Sequence, residues 1–226
     1  MRPLIIMYGE KIDWFHTVIR MLMYLAGVAV LALGMSLQTA SGLGVAALTC
    51  FATTLSMLTG KTLGFWITAT YVAYIVAQFT ILRREFQPRI LLELCFSTLI
   101  GGFTDFFMAV NPLHPAALPI QVETMLLSLA VTAFGVSLVV NMGVVPNAPD
   151  GLVQVIAEKI KRRFGDVKVV FDCSHVAVSL VLSLALMHNL GGFGVTTAIS
   201  ALFLGHVINI ANKLFAQRFV RAAFGK

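Results

Sequence analysis

The sequence predicts an all-α membrane protein with six transmembrane helices arranged as two inverted-topology repeats of three. Hydrophobic residues make up 58% of the 226 residues, and charged residues make up only 12%, about half the charged fraction of soluble domains. Six apolar runs approach the ~20 residues that cross a bilayer core as an α-helix. The two halves of the chain also share a pattern of glycine and polar residues. A soluble core of this size cannot bury so much apolar surface, so much of it must face lipid.

The predicted elements follow one another in a simple order. Residues 1–19 form a cytoplasmic or interfacial segment, which we do not expect to be a cleaved signal peptide. The predicted spans are residues 21–41, 63–82, 90–110, 124–142, 169–187 and 194–214. Residues 112–122 form a linker outside the cytoplasm, and residues 215–226 form a basic cytoplasmic tail.

Two further segments are helical in character but make poor spans. Residues 45–59 are apolar but too short to cross a bilayer, and residues 148–164 end in a basic cluster. We expect both to be re-entrant or interfacial helices, one after the first span of each half.

The basic residues predict the orientation of the six spans. With both termini in the cytoplasm, Lys61 is the only one of the 16 Lys and Arg residues that lies outside, as the positive-inside rule requires. If residues 45–59 also crossed the membrane, Arg83, Arg84 and Arg89 would move outside. We therefore predict a multi-pass protein of the bacterial cytoplasmic (inner) membrane.

An internal repeat links the two halves. The sequence Gly-Met-Ser-Leu at residues 34–37 returns as Gly-Val-Ser-Leu at residues 135–138, an offset of 101, and Gly42 returns as Gly143 at the same offset. A Gly-x-x-x-Asp motif ending at Asp105 matches a Gly-x-x-x-Asn motif ending at Asn209. Repeat 1 covers residues 20–111 and repeat 2 covers residues 123–214. Because each contains three crossings, the second is inverted in the membrane, as in many secondary transporters.

The glycine-rich turn after the first span, the short helix and the Gly-x-x-x-Asp motif resemble the YitT/YczE family of bacterial membrane proteins. The resemblance covers residues 20–214. Members of that family typically carry a Pro-aromatic-Asp element after the glycine turn. Here the first copy reads Ala47-Leu48-Thr49 and has no acid, whereas the second copy retains Pro149-Asp150. The resemblance implies transport or membrane-associated regulation.

Polar residues beside the two helix breaks form the predicted substrate site. Asp150 and Asn147 begin the second short helix, where a carboxylate can cap free amides or attract a cation, and the same amides can bind an anionic group. The other candidates in this site are Thr49, Ser36, Ser137, Asn141, Gln38, Asp105 and Asn209. Alternatively, their side chains bond only to their own backbone or to neighbouring helices.

Three further residues are candidates for proton coupling. Asp172 and His175 are three residues apart on one face of the fifth span, and His206 lies in the sixth span. Ionisable groups inside a membrane are functional candidates because their burial is costly. A hydrogen-bonded packing role is the alternative for each histidine. We expect Glu93 to snorkel or to pair with Arg89.

Other functional classes have little support. Three widely spaced cysteines and the lack of catalytic or metal-ligand motifs argue against an enzyme, a cofactor or a metal site. The net charge of +6 lies at the ends of apolar runs, so we do not expect nucleic-acid binding.

The sequence therefore favours a small secondary transporter or facilitator of a small polar solute. The alternative is a non-transporting regulatory or substrate-capturing membrane subunit, whose basic residues 159–163 would dock a partner or anionic lipid. The expected partners are the lipid bilayer, a small-molecule substrate and a second copy in a homodimer.

Overall fold

The computed structural model describes residues 14–83, 88–111, 115–144, 147–162, 164–188, 190 and 192–224. In this part of the chain all regular structure is helical. The helices are α1 (Trp14–Ala40), α2 (Ala47–Thr59), α3 (Leu63–Leu82), α4 (Leu92–Val110), α5 (Leu118–Met142), α6 (Ala148–Lys159), α7 (Phe164–Met187) and α8 (Val195–Phe224). A short 3-10 turn, Pro88–Leu91, precedes α4.

Six of these helices are long and apolar enough to cross a membrane: α1, α3, α4, α5, α7 and α8. Their outward faces carry exposed large hydrophobic residues such as Phe106, Val181 and Leu202, which lipid would cover. The chain is thus an all-α, multi-pass membrane protein, and the predicted number of spans is confirmed for the described residues. The two short segments, α2 and α6, also form helices.

Several helix ends differ from the predicted ones. Helix α1 begins at Trp14 rather than residue 21. Residues 1–13 of the predicted N-terminal segment lie outside the described residues. Helix α5 begins at Leu118, inside the predicted linker, because a proline in its first turn is compatible with a helix start. Helix α6 ends at Lys159, five residues early, in a turn where Lys161 has a positive φ of 54°.

The predicted basic tail is also helical, because α8 continues to Phe224. The ring of Phe134 on α5 lies 5.4 Å from the rings of both Phe215 and Phe219 on α8. Ala223 is fully buried. These apolar contacts extend α8 beyond the predicted end at residue 214.

Helices α1 and α5 cross in close contact at the centre of the bundle. A β-carbon at Gly34 would lie 2.7 Å from the backbone nitrogen of Thr132, and one at Gly135 would lie 2.5 Å from the backbone nitrogen of Leu31. Both distances are shorter than any real contact of a β-carbon. The helices therefore approach this closely only because both positions are glycine.

The remaining helices pack around this crossing. Helix α4 packs against α1, and α8 packs against α5. Helix α2 packs against α7 and α3, and α6 packs against α3 and α7. Helices α3 and α4 are also in contact, whereas α7 and α8 make no comparable contact within the described residues. As a result, α7 and α8 are the least buried of the six long helices.

The break after α1 is held by the connection between α7 and α8. Gly42 and Gly44 both have positive φ, 71° and 110°, a conformation that favours glycine. The backbone nitrogen of Thr196 donates to the carbonyl of Leu43 at 2.9 Å, and that of Val45 donates to the carbonyl of Gly192 at 3.1 Å. These bonds satisfy backbone groups that would otherwise be costly in a membrane.

The break after α5 is held by an arginine of α1. Gly143 ends α5 with a positive φ of 55°, which is the usual conformation of a helix C-cap glycine. The Arg20 guanidinium donates to the carbonyl oxygens of Met142 at 2.5 Å and Gly143 at 2.7 Å. A cation here also complements the negative end of the α5 dipole.

The glycine crossing generates a stability prediction. Substituting Gly34→Ala or Gly135→Ala should destabilise the protein by about 2 kcal/mol, because the added methyl group forces α1 and α5 apart. The measurement is the thermal unfolding midpoint of the purified protein in detergent. Gly102→Ala is the matched control, because a β-carbon there meets no atom within 4 Å. Equal midpoints for all three variants would contradict the described crossing.

Candidate functional site

A charged cluster lies where the N-terminal half of α6 meets α7, and it consists of Asp150, Lys168 and Asp172. The Lys168 Nζ is 2.9 Å from Asp150 Oδ1 and 3.1 Å from Asp172 Oδ1. The two carboxylates thus share one ammonium group. All three side chains are partly buried, and both Lys168 and Asp172 belong to a helix that spans the membrane.

A buried carboxyl group lies on the other side of the α6 N-terminus. Glu93 of α4 is only 1% exposed, and its Oε2 accepts a hydrogen bond from Gln78 Nε2 of α3 at 2.7 Å. Gln78 also donates to the Ala148 carbonyl at 3.3 Å. A β-carbon at Gly151 would lie 2.8 Å from Glu93 Oε1, so α6 can come this close because residue 151 is glycine. The expectation that Glu93 snorkels is therefore wrong, because its nearest polar groups lie inside the bundle.

A histidine–tyrosine pair continues the polar contacts along α7. The Tyr74 hydroxyl of α3 lies 2.5 Å from His175 Nε2. His175 Nδ1 lies 2.8 Å from the Phe171 carbonyl one turn earlier. The rings of Phe51 and Phe171 pack against the imidazole. One turn away on α3, the buried Tyr71 side chain lies against Asn147.

A hydroxyl cluster joins α7 to α2 beyond this pair, and it consists of Cys50, Thr54, Ser179 and Ser183. The hydroxyl oxygen of Thr54 is 2.7 Å from that of Ser179 and 3.2 Å from that of Ser183. Ser179 also donates to the Cys50 sulfur at 3.1 Å. All four side chains are buried.

A separate polar group connects α5 with α8. Ser137 donates to Asn212 Oδ1 at 2.5 Å, and Asn141 Nδ2 donates to the same oxygen at 2.8 Å. Two predicted residues thus meet a partner, Asn212, that the sequence analysis missed. Asn209 and His206 lie on the same helix but on its exposed face.

The other predicted residues have more local contacts. The hydroxyl groups of Ser36 and Thr49 donate to backbone carbonyls within one turn of their own chain. Gln38 is 1% exposed, and its side-chain amide has no hydrogen-bond partner among the described residues. Asp105 accepts a hydrogen bond from the Gly64 backbone nitrogen at 2.7 Å, so it caps the N-terminus of α3.

The structure therefore brings together four predicted residues around α6 and α7, namely Asn147, Asp150, Asp172 and His175. It keeps Asp105, Asn209 and His206 apart from them. Sequence reasoning missed five neighbours of this group: Tyr71, Tyr74, Gln78, Glu93 and Lys168. A signal did exist for Lys168, because it lies four residues before Asp172 on the same helix face.

A cavity of about 340 Å³ lies away from the charged cluster. It is lined by Thr39, Ala40, Gly42, Met108, Asn111 and Pro115, where α1 and α4 end. Among the described residues, no three His, Cys, Asp or Glu side chains are grouped as metal ligands would be.

Fold and polar clusters together define the class: a multi-pass α-helical membrane protein with ionisable groups inside its spans. A family model described as "Family of unknown function (DUF6198)" matches residues 18–213, and the chain belongs to this family. The comparison does not confirm the resemblance to the YitT/YczE family, which stays a prediction. Neither a search of curated proteins nor a search of solved structures finds a match.

The charged cluster generates a second stability prediction. Lys168→Met should destabilise the protein by about 2 kcal/mol or more, because it leaves two partly buried carboxylates without their cation. The triple variant Lys168→Met, Asp150→Asn, Asp172→Asn should recover most of this loss. Lys213→Met, at an exposed position on α8, is the control in the same thermal unfolding measurement. A triple variant no more stable than Lys168→Met would contradict the shared ammonium.

Proposed function

We propose that this protein is a small secondary transporter or facilitator of a small polar solute, with its site at the charged cluster and the N-terminus of α6. The observation that supports this proposal is the meeting of Asp150, Lys168 and Asp172 beside a short helix inside a membrane bundle. Ionisable side chains inside a bilayer cost several kcal/mol unless they are paired or hydrated. A purely structural helix contact does not need three of them.

Two inverted repeats form the second part of the proposal. The reciprocal contacts of the crossing support it, since Gly34 meets Thr132 and Gly135 meets Leu31. Residues Gly34 and Gly135 are related by the offset of 101, and so are Leu31 and Thr132. The contacts between helices are related in the same way. Helix α1 packs against α4 as its counterpart α5 packs against α8, and α2 packs against α7 as its counterpart α6 packs against α3.

The breaks agree with this exchange. Arg20 lies beside Gly143. The offset of 101 relates Arg20 to Gln121 and Gly42 to Gly143, and Gln121 and Gly42 are also neighbours. Gln121 Nε2 lies 3.6 Å from the position that a β-carbon of Gly42 would take. Inverted repeats commonly place their substrate site at such helix breaks.

The orientation is the third part of the proposal. Both termini lie in the cytoplasm, and the host membrane is the bacterial cytoplasmic membrane. Helix α6 enters from the cytoplasmic side and α2 from the outer side. Their burial against long helices supports re-entry: most of the first half of each helix is inaccessible, including Cys50 and Ala52 in α2 and Ala148 and Val153 in α6.

The charges of the cluster suggest the chemistry of the solute. Two carboxylates share one ammonium, so the cluster has an excess of negative charge. A solute with an amino or other cationic group can take the place of the Lys168 ammonium between Asp150 and Asp172. The N-terminus of α6 would at the same time favour an anionic or carbonyl group on that solute.

The alternative function is a non-transporting regulatory or substrate-capturing subunit. The low burial of α7 and α8 favours it, since these are the least buried of the six long helices. A partner protein, or a second copy in a homodimer, would cover their exposed faces. A stoichiometric partner that co-purifies with the protein, combined with no uptake by the protein alone, would support this alternative.

The transport proposal is tested in two steps. A thermal-shift screen against small amino compounds, zwitterions and carboxylates first identifies a stabilising solute, because binding to the folded state raises the unfolding midpoint. Uptake of that solute is then measured in proteoliposomes. Asp150→Asn and Asn147→Ala should each lower uptake at least tenfold while the protein remains folded. Asp166→Asn, at an exposed position on α7, should transport normally.

Retained uptake in both the Asp150 and the Asn147 variants would exclude this site. Failure of every solute to bind or to be taken up would contradict the transport function itself.

A further inference from the structure

A stripe of polar side chains runs along one face of α7. Its members are spaced three or four residues apart, so they lie on one side of the helix. The α7 polar stripe consists of Lys168, Asp172, His175, Ser179 and Ser183. These 15 residue steps extend over about 22 Å of a bilayer core that is ~30 Å thick.

The polar stripe is the face by which α7 packs on the rest of the protein. Ser179 and Ser183 are each 1% exposed, whereas Val170 and Val181 on the other faces are 69% and 65% exposed. Helices in lipid usually pack through small apolar or uncharged groups. The packing face of α7 instead partly buries a lysine, an aspartate and a histidine. Their burial in a membrane is costly, and this cost favours a functional role for these three side chains.

Three helices supply partners along the whole stripe. Asp150 of α6 contacts Lys168 at one end, and Tyr74 of α3 contacts His175 in the middle. Thr54 of α2 contacts Ser179 and Ser183 towards the other end. The short helices α6 and α2 thus line opposite ends of the α7 polar stripe.

We propose that the α7 polar stripe carries protons across the membrane, with His175 as the group that accepts and releases each proton at its centre. This inference rests on the proposed transport function, to which it adds the coupling ion and its path. The polar contacts on the stripe are 2.5 to 3.2 Å long, which leaves no room for a solute between the groups. Such contacts do allow proton exchange, and the path requires a bridging water between members of the stripe one turn apart.

The contacts of His175 define how it would hold a proton. Nδ1 faces the Phe171 carbonyl, which only accepts, so Nδ1 carries a hydrogen. Nε2 faces the Tyr74 hydroxyl. A proton from the Asp172 side binds to the Tyr74 oxygen while the tyrosine passes its own proton to Nε2. The tyrosine stays neutral, and the imidazole becomes imidazolium.

Release of the proton from His175 reverses this change in charge. The imidazolium rotates away from Tyr74 and gives the proton, through water, to the Ser179 hydroxyl, which passes its own proton on towards Thr54 and Ser183. The imidazole returns to its neutral form. Hydroxyl groups can both donate and accept hydrogen bonds, so the hydroxyl cluster completes the path without a further charged group.

The groups that face His175 control its charge. On α7, Asp172 favours the imidazolium, and Lys168 opposes it. On α6, Asp150 favours it from a greater distance. On α3, Tyr74 and Tyr71 are neutral, and on α2 the Phe51 ring and Cys50 are neutral.

The test uses the full-length protein in vesicles that contain a pH-sensitive dye. A potassium gradient with valinomycin makes the interior negative and drives protons inwards. We expect the wild-type protein to acidify the interior faster than protein-free vesicles do. His175→Gln and Tyr74→Phe should each lower the protein-dependent rate at least tenfold, and the double variant Ser179→Ala, Ser183→Ala should lower it severalfold.

His188→Gln is the matched control, because His188 is an exposed histidine that follows α7 and lies outside the stripe, and its rate should equal that of the wild type. Tyr74→Phe guards against misfolding, since it removes one hydroxyl group and keeps the ring. No acidification above protein-free vesicles, or an unchanged rate in both His175→Gln and Tyr74→Phe, would overturn the proposal. If solute uptake persists when the proton path is overturned, the proposed transport function still stands. Proton flux without any solute uptake would support the proton path and contradict the proposed transport of a solute.

Discussion

The close crossing of α1 and α5 is the constraint on which the rest of this structure depends. Because Gly34 and Gly135 lack β-carbons, the two helices meet backbone to backbone. With α1 and α5 in this contact, Arg20 reaches the last carbonyls of α5. The chain breaks after both helices, and each break leads into a short helix. Those short helices bring helix N-termini and polar side chains into the bundle.

The placement of α2 and α6 explains why polar groups concentrate on α7. Both short helices pack against it, and neither is long enough to present a fully apolar wall across the membrane. The α6 end supplies charge through Asp150, and the α2 end supplies hydroxyl groups through Thr54. One helix thus contacts both short helices through a polar face and lipid through its other faces. The central claim is that this face, the α7 polar stripe, is the route that protons take through the protein.

Length and hydropathy were sufficient to predict the six spans and the two short helices, because the thickness of the bilayer restricts helix length. The shared face of Asp172 and His175 followed from helical spacing alone, but their hydrogen-bonding and ion-pair partners are Lys168 for Asp172 and Tyr74 for His175. In contrast, the partners of Asp150 and Glu93 depend on how α3 and α7 pack against α6, which no local pattern encodes. Asp105 shows the same limit, since its contact with Gly64 links residues 41 positions apart.

The most direct test of the central claim compares proton flux in dye-loaded vesicles for two variants that exchange valine and threonine, one against the α7 polar stripe and one on the opposite face of α7. Thr54→Val keeps the shape of the side chain but removes the hydroxyl group that contacts Ser179 and Ser183. Val181→Thr adds a hydroxyl group on the exposed face of α7. The account predicts that Thr54→Val lowers the proton flux severalfold and that Val181→Thr leaves it unchanged. Equal flux in the two variants would contradict it.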